Sequence, residues 1–178
     1  MKIKKVALGA ILAAAMGSAQ ADVCKFLPGN VLCGKGTVNS ISGNGMVVVN
    51  GTNVNGMTTI NGMLNAKEAN FLSLQVNGSA NLDQCIVNQV TDIKGSLNAS
   101  ATKFNNSVDI HSNVTTLVNS NINGNLRVHH TDDGKQKVNL TTSSITGDII
   151  FDDGDGEVVM HGNSKVSGNI IGGVSVNK

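Results

Sequence analysis

The chain has 178 residues and a formal net charge of +1, and it contains four Phe but no Trp or Tyr. Its 13 basic residues are balanced by 12 acidic ones, which excludes the strongly basic surface of a nucleic-acid-binding protein. With so few aromatic residues, the bulky core of a β-sandwich is hard to build, whereas stacked Val, Ile, Leu and Ala can fill a narrow, repetitive interior.

Residues 1–21 have the pattern of a Sec-type signal peptide. A basic start at residues 2–5 precedes an apolar run at residues 6–16, which is too short to span a bilayer. Ala19-Gln20-Ala21 fits a signal peptidase site. We expect cleavage after Ala21 and export of a chain that starts at Asp22 to the periplasm or the exterior. No later segment is apolar enough to predict a transmembrane anchor.

Residues 22–37 are predicted to form an N-terminal cap that leads into the repeats. Cys24 and Cys33 enclose a short loop with a turn at Pro28-Gly29. In an oxidising compartment such a pair is expected to form a disulfide that ties a hairpin or cap together. Cys85 lies in an apolar stretch, so it is interpreted as a small buried residue, with an intermolecular bridge as the alternative.

Two stretches of the chain have nearly the same sequence at an offset of about 33 residues. Ile60-Asn61-Gly62-Met63-Leu64-Asn65-Ala66 is followed by Phe71, and Ile93-Lys94-Gly95-Ser96-Leu97-Asn98-Ala99 is followed by Phe104. The same core triplet, a β-branched residue, a polar residue and a glycine, recurs four more times, at Val76-Asn77-Gly78, Ile122-Asn123-Gly124, Ile145-Thr146-Gly147 and Val166-Ser167-Gly168.

This recurrence predicts one short strand per turn of a coil. The fold class is therefore all-β, a single-stranded parallel β-helix (β-solenoid) over residues 38–171 with a C-terminal tail at residues 172–178. The triplet glycine is expected where the chain bends or where neighbouring coils approach closely. The chain has 24 Asn residues, and Asn side chains can form hydrogen-bonded ladders between equivalent positions of stacked coils.

An acidic cluster near the C-terminal end is the best candidate metal site. Asp153, Asp155 and Glu157 alternate with glycines, as oxygen ligands of calcium do, but they lack the full twelve-residue EF-hand pattern. The alternative is a polar hairpin turn between residues 149–151 and 158–160. No other cofactor is predicted.

The remaining polar residues give little sign of catalysis. His129-His130 beside Asp132 and Asp133 could suggest a metal or acid–base site, but adjacent residues on a strand point to opposite faces, so a solvated loop at residues 131–136 is favoured. His111 and His161 are expected to be isolated and exposed. Asp92 and Asp109, one coil apart, could stack outward as the carboxylates of polysaccharide-cleaving β-helices do.

The recurring triplet resembles the turn of the bactofilins, bacterial polymer-forming proteins with a parallel β-helix. The resemblance covers roughly residues 45–171, at Ile60–Leu64, Ile93–Leu97, Ile122–Leu126, Ile145–Ile149 and Val166–Ile170. It implies self-assembly through the end coils without nucleotide and supplies no catalytic residue. Bactofilins are typically cytosolic, whereas the signal peptide predicts an exported chain.

The sequence therefore predicts an exported, non-catalytic β-solenoid with a structural, adhesive or self-assembling role. Its expected partners are other copies of the chain, through the end coils, and a polymer at the cell surface or outside the cell. Because the end coils of a solenoid carry unpaired strand edges, they must be capped or they will pair with another chain. The alternative function is a carbohydrate-binding or polysaccharide-cleaving parallel β-helix.

Overall fold

The protein forms a parallel β-solenoid of about eight coils. A computed structural model describes residues 23–129 and 134–178. The predicted signal peptide, Asp22 and residues 130–133 lie outside the described residues. Every described element is a strand, so the predicted all-β solenoid is confirmed. The described residues contain no helix that is long and apolar enough to cross a membrane.

Each coil has three faces, on which strands of successive coils pair in parallel. Face 1 consists of residues 41–44 of β4 (Ile41–Asn50), 58–61 of β5 (Thr52–Lys67) and 74–77 of β6 (Asn70–Asp83), followed by β8 (Thr91–Lys94), β11 (Val108–His111), β14 (Leu126–Val128), β17 (Ile149–Phe151) and β20 (Ile170–Ile171).

Face 2 consists of β1 (Cys24–Leu27), β2 (Asn30–Cys33), the C-terminal parts of β4, β5 and β6, and β9 (Leu97–Ser100), β12 (Val114–Val118), β15 (Lys137–Thr141), β18 (Gly156–His161) and β21 (Gly173–Asn177). Face 3 consists of β3 (Gly36–Val38), the first residues of β5 and β6, and β7 (Ile86–Val87), β10 (Lys103–Phe104), β13 (Asn121–Ile122), β16 (Ser144–Ile145) and β19 (Lys165–Val166).

The core is a set of apolar columns that run along the solenoid axis. On face 1, five consecutive coils place a fully buried β-branched residue at one register position: Ile60, Val76, Ile93, Ile110 and Val128. The 33-residue repeat thus spans two coils, since Val76 lies between Ile60 and Ile93. Burying such a side chain contributes about 1.5–3 kcal/mol, but only when a neighbouring coil covers it.

The predicted Cys24–Cys33 disulfide is confirmed. It joins β1 to β2 in an antiparallel hairpin in which the two cysteines are register partners. β2 also pairs in parallel with β4, so the stack of coils begins within the segment predicted as a cap. At the other end, β21 pairs with β18, so the predicted tail contributes a strand to the stack. Cys85 is buried and unpaired, as expected.

The glycine triplets do not all occupy the same corner of the coil. Gly45, Gly62, Gly78 and Gly95 stack at the corner between faces 1 and 2, where a Cβ on Gly78 would lie 2.0 Å from the Gly62 carbonyl oxygen. The triplets at Ile122, Ile145 and Val166 instead begin on face 3 and turn toward face 1. Treating all six triplets as equivalent was therefore wrong, although close approach of coils explains the glycines at both corners.

Four asparagine ladders join neighbouring coils, as the composition predicted. Asn61 Nδ2 donates to Asn44 Oδ1 at 2.9 Å, and Asn77 Nδ2 donates to Asn61 Oδ1 at 2.7 Å. The other ladders are Asn53–Asn70, Asn65–Asn81–Asn98 and Asn88–Asn105–Asn123. Because each amide is both donor and acceptor, one residue type satisfies the contacts to the coils on either side.

We predict that Gly78→Ala lowers the free energy of unfolding by about 3 kcal/mol, because Gly78 has φ of +142° and an added Cβ would overlap the Gly62 backbone. Chemical denaturation monitored by circular dichroism measures the loss. Gly34→Ala is the matched control, since its Cβ would meet no atom within 4 Å. Equal stabilities of the two variants would contradict the stacked-glycine corner.

Candidate functional sites: the coil ends and a charged ridge

Face 1 carries most of the ionisable side chains that the structure brings together. We define the charged ridge as the outward residues of four successive coils: Asp92, Lys94, Asp109, His111, Arg127, His129 and Asp152. Asp92, Asp109 and Arg127 are register partners on β8, β11 and β14. They alternate with buried residues such as Ile93 and Ile110, so strand geometry directs them outward. The predicted stacking of Asp92 and Asp109 is confirmed.

His129 is the centre of the charged ridge. Its Nδ1 lies 2.9 Å from Asp152 Oδ2 and its Nε2 lies 3.3 Å from Asp109 Oδ1. Arg127 Nε donates to the other Asp152 oxygen at 3.0 Å. These contacts connect three coils at the end of face 1. The imidazolium form of His129 can donate to both carboxylates at once.

His111 is not isolated, contrary to the sequence-based expectation. Its ring stacks on that of His129, with the ring centroids 4.3 Å apart and the planes 15° from parallel. Partial burial lowers the pKa of His111 from its ordinary value, and the neighbouring His129 and Lys94 also lower it, against the opposing effects of Asp92 and Asp109. The expectation failed because residues 111 and 129 are distant in sequence and meet only through coil stacking.

Asp152 is held in its charged form by its neighbours. Burial alone would raise the pKa of its carboxyl group, but the hydrogen bonds and charges of Arg127 and His129 outweigh that effect and lower it. At the other end of the charged ridge, Asp92 Oδ1 is buried without a hydrogen-bond partner. Burying an oxygen that accepts no hydrogen bond costs free energy of folding. Asp92 is therefore the ridge residue whose hydrogen-bonding capacity the described chain satisfies least.

The calcium candidate lies on a turn between face 1 and face 2. Asp153 falls in the turn, Asp155 follows it, and Glu157 is on β18, where its carboxylate lies 3.4 Å from Lys137 Nζ. The turn is not the hairpin considered from sequence, because β17 and β18 pair with other coils. No group of three or more His, Cys, Asp or Glu side chains in the described ranges is placed to hold a metal ion, and calcium binding stays a prediction.

The predicted loop at residues 131–136 lies partly outside the described residues, as do His130, Asp132 and Asp133. The end of that segment is not solvated. Gln136 is fully buried, and its side-chain amide donates to the His129 carbonyl oxygen. This contact fixes the chain where it leaves face 1 after the ridge histidine. Nothing in the local sequence distinguishes Gln136 from an exposed loop residue.

The C-terminal end of the solenoid exposes the edge of its last coil. Within the described ranges, β19, β20 and β21 each pair with one strand, on the side of the preceding coil. β21 contains no charged residue and no proline, and its Val174 is 64% exposed. Charges, prolines and bulges are the usual protection of an edge strand against pairing with another chain, and β21 has neither charge nor proline.

The N-terminal end is built differently. The outer edge of β2 is covered by β1, which the disulfide holds in place. The edges of β3 and of residues 41–44 have no further strand beyond them among the described residues. Phe26 and Leu27 of β1 are 69% and 52% exposed. This end therefore combines a short covering strand with an exposed apolar surface.

A shallow groove of about 370 Å³ follows face 2 across five coils. Asn65, Asn81 and Asn98, which form one of the amide ladders, lie along it, and Ala66, Leu82 and Ala99 contribute its apolar floor. The groove offers a lateral surface for an extended ligand.

Comparisons with known proteins give no identification, since no family model, no curated protein and no solved structure matches this chain. Its function must therefore be argued from its own geometry.

We predict that the protein loses stability as pH falls below about 6.5. Because folding lowers the pKa of the His111 imidazole, the unfolded chain binds a proton there at a higher pH than the folded chain does. The stabilisation that His111 contributes above pH 6.5 is therefore lost as pH falls through the pKa of the folded state. The pKa of Asp152 is also lowered on folding, so the folded protein loses further stability as pH falls below 3.8, the ordinary value for this group.

Thermal unfolding of the wild type and of His111→Asn at a series of pH values checks the His111 contribution. The variant should lose less stability than the wild type in the first steps below pH 6.5. His161→Asn, a change on face 2 away from the ridge, is the control and should retain the wild-type profile. Parallel pH profiles for wild type and His111→Asn would refute this role.

Proposed function

We propose that this chain is an exported, non-catalytic β-solenoid with a structural role, and that it assembles with other copies of itself through its end coils. The observation that carries the proposal is the open edge of β21. This strand uses one side to pair with β18, while its other side presents a row of backbone donors and acceptors in an uncharged segment. Such an edge is a template for another strand.

The stacking of the coils favours extension by a further chain. Each coil stabilises only its neighbours, so the last coil lacks one of its two interfaces. Ile171 and Val174 of this coil are 47% and 64% exposed. A second copy that covers this end would remove apolar surface from water and complete the backbone hydrogen bonds of β21. If the N-terminal end also takes part, the contact repeats and generates a filament.

Two further observations agree with this proposal. The Cys24–Cys33 disulfide is typical of exported proteins, in line with the signal peptide predicted from sequence. The resemblance to bactofilins, which polymerise without nucleotide, suggests the same kind of assembly in the periplasm or outside the cell. An adhesive role toward a surface polymer would use the lateral faces of the same rod.

We predict that Val174→Lys weakens self-association, because it places a charge on the exposed edge strand. The new lysine would face Glu157 on the preceding coil, so the fold of the single chain should tolerate it. Light scattering coupled to size-exclusion chromatography measures the change, with the average mass of the variant falling toward that of one chain. The mass of the wild type should rise with concentration.

The matched control is Val114→Glu. Val114 is also exposed, and its register partner on the next coil is Lys137, but it lies on an interior coil that is already paired on both sides. This variant should associate like the wild type. If the wild type stays a single chain at every concentration, or if both variants associate equally, assembly through the C-terminal edge is wrong.

A carbohydrate-binding or polysaccharide-cleaving role is the second candidate, and the charged ridge is the observation that favours it. Asp109 and Asp152 converge on His129 from neighbouring coils beside Arg127. A glycan array and a reducing-end assay test this role. Binding or turnover that is lost in Asp109→Asn would support it, and the absence of both for the wild type would remove it.

A further inference from the structure

We propose that a hollow at the corner between faces 3 and 1 binds a neutral sugar residue of a glycan. We define this amide hollow by the residues Thr37, Asn53, Asn55, Asn70, Leu72 and Asn88, which line it. Its volume of about 470 Å³ is in the range of small-ligand pockets. The inference depends neither on self-assembly through the end coils nor on the charged ridge, because it concerns a different surface.

A β-bulge shapes the amide hollow. The pairing of β5 with β6 shifts in register between Val54 and Met57, where β5 has one residue more than β6. Asn55 and Gly56 lie in this shift. A Cβ on Gly56 would lie 2.5 Å from the Asn39 carbonyl oxygen, so the chain passes this point only as glycine. Bulges redirect side chains and are frequent beside binding sites, and this one brings Asn55 to the wall of the hollow.

The amides of the hollow have hydrogen-bonding capacity that the described chain does not use. Asn70 Nδ2 donates to Asn53 Oδ1 at 2.7 Å, but no described residue accepts from the Asn53 amide or donates to Asn70 Oδ1. This ladder stops after two members because Thr37 and Ile86 hold the same register position on the neighbouring coils. Asn55 forms no side-chain hydrogen bond with another described residue. Donors and acceptors are thus left for a ligand.

The residues of the hollow select for an uncharged ligand that carries hydroxyl groups. A side-chain amide both donates and accepts hydrogen bonds, and so does a sugar hydroxyl. None of the residues that line the hollow is charged, so an ionic ligand would find no countercharge there. Val54, which also lines the hollow and is 3% exposed, and the partly buried Leu72 add apolar surface between the amides. The C–H groups of a sugar ring can pack against these two side chains.

A nuclear magnetic resonance titration tests the proposal. The isotopically labelled chain from Asp22 to Lys178 is titrated separately with neutral hexasaccharides of glucose, galactose, mannose and N-acetylglucosamine. We expect at least one of them to shift the side-chain amide resonances of Asn53, Asn55 and Asn70. The affinity should be weak, because the chain has no Trp or Tyr on which a sugar could stack. Oligogalacturonate, which carries carboxylates, should leave these resonances unchanged.

Two variants locate the contact. Asn55→Ala should weaken binding of the same hexasaccharide by about tenfold, because it removes an amide that makes hydrogen bonds only to the ligand. Thr37→Arg should also weaken binding, because it places a long charged side chain at the edge of the hollow from an exposed position. The matched control is Asn163→Ala, an exposed asparagine in a turn near the C-terminal end, which should bind like the wild type. Circular dichroism confirms that each variant retains the strand spectrum of the parent.

Three results would overturn the proposal. The first is a wild-type spectrum that no hexasaccharide changes. The second is equal binding by Asn55→Ala and Asn163→Ala. The third is binding that Asp109→Asn abolishes and Asn55→Ala retains, which would assign the glycan to the charged ridge. None of these results depends on the mass of the assembled protein, so failure of the amide hollow and failure of self-assembly are distinguishable.

Discussion

The structure depends on the alignment of equivalent residues in successive parallel coils. A single coil of this chain cannot bury its own apolar side chains, so Ile60, Val76 and Ile93 are covered only because the coils lie in register. The same register brings the Gly62 carbonyl against Gly78 and links the asparagine ladders. A shift of one residue in any coil would turn its apolar side chains outward and break these contacts together.

This constraint also determines where backbone hydrogen bonds and apolar contacts are left unmade. Interior coils satisfy one another on both sides, which leaves the lateral faces to short polar side chains and to the charged ridge. The ends cannot be satisfied in this way, and they differ: a disulfide-tied strand with exposed Phe26 covers the start, whereas β21 leaves an uncharged edge. We therefore place self-assembly at the ends of the rod.

The sequence was sufficient for the fold because its strongest signals are local and repeated. The 33-residue offset, the asparagine ladders and the Cys24–Cys33 disulfide were all predictable. The assignment of triplets to corners was not, since a glycine suits both corners sterically. A column of buried polar residues at the corner between faces 2 and 3 was also missed. The hydroxyls of Thr102, Ser120 and Ser143 each accept a hydrogen bond from a backbone N–H of the preceding coil. Small polar residues give no local signal of burial, and the stacking of His111 on His129 depends on coil lengths that the insertions obscure.

Negative-stain electron microscopy of the chain from Asp22 to Lys178 tests the central claim most directly. Eight coils spaced about 4.8 Å apart make a rod of roughly 40 Å. Assembly through the end coils predicts particles of constant width whose lengths are multiples of that rod. Single rods at all concentrations, or rods that associate side by side, would contradict it and would move the functional surface to the lateral faces.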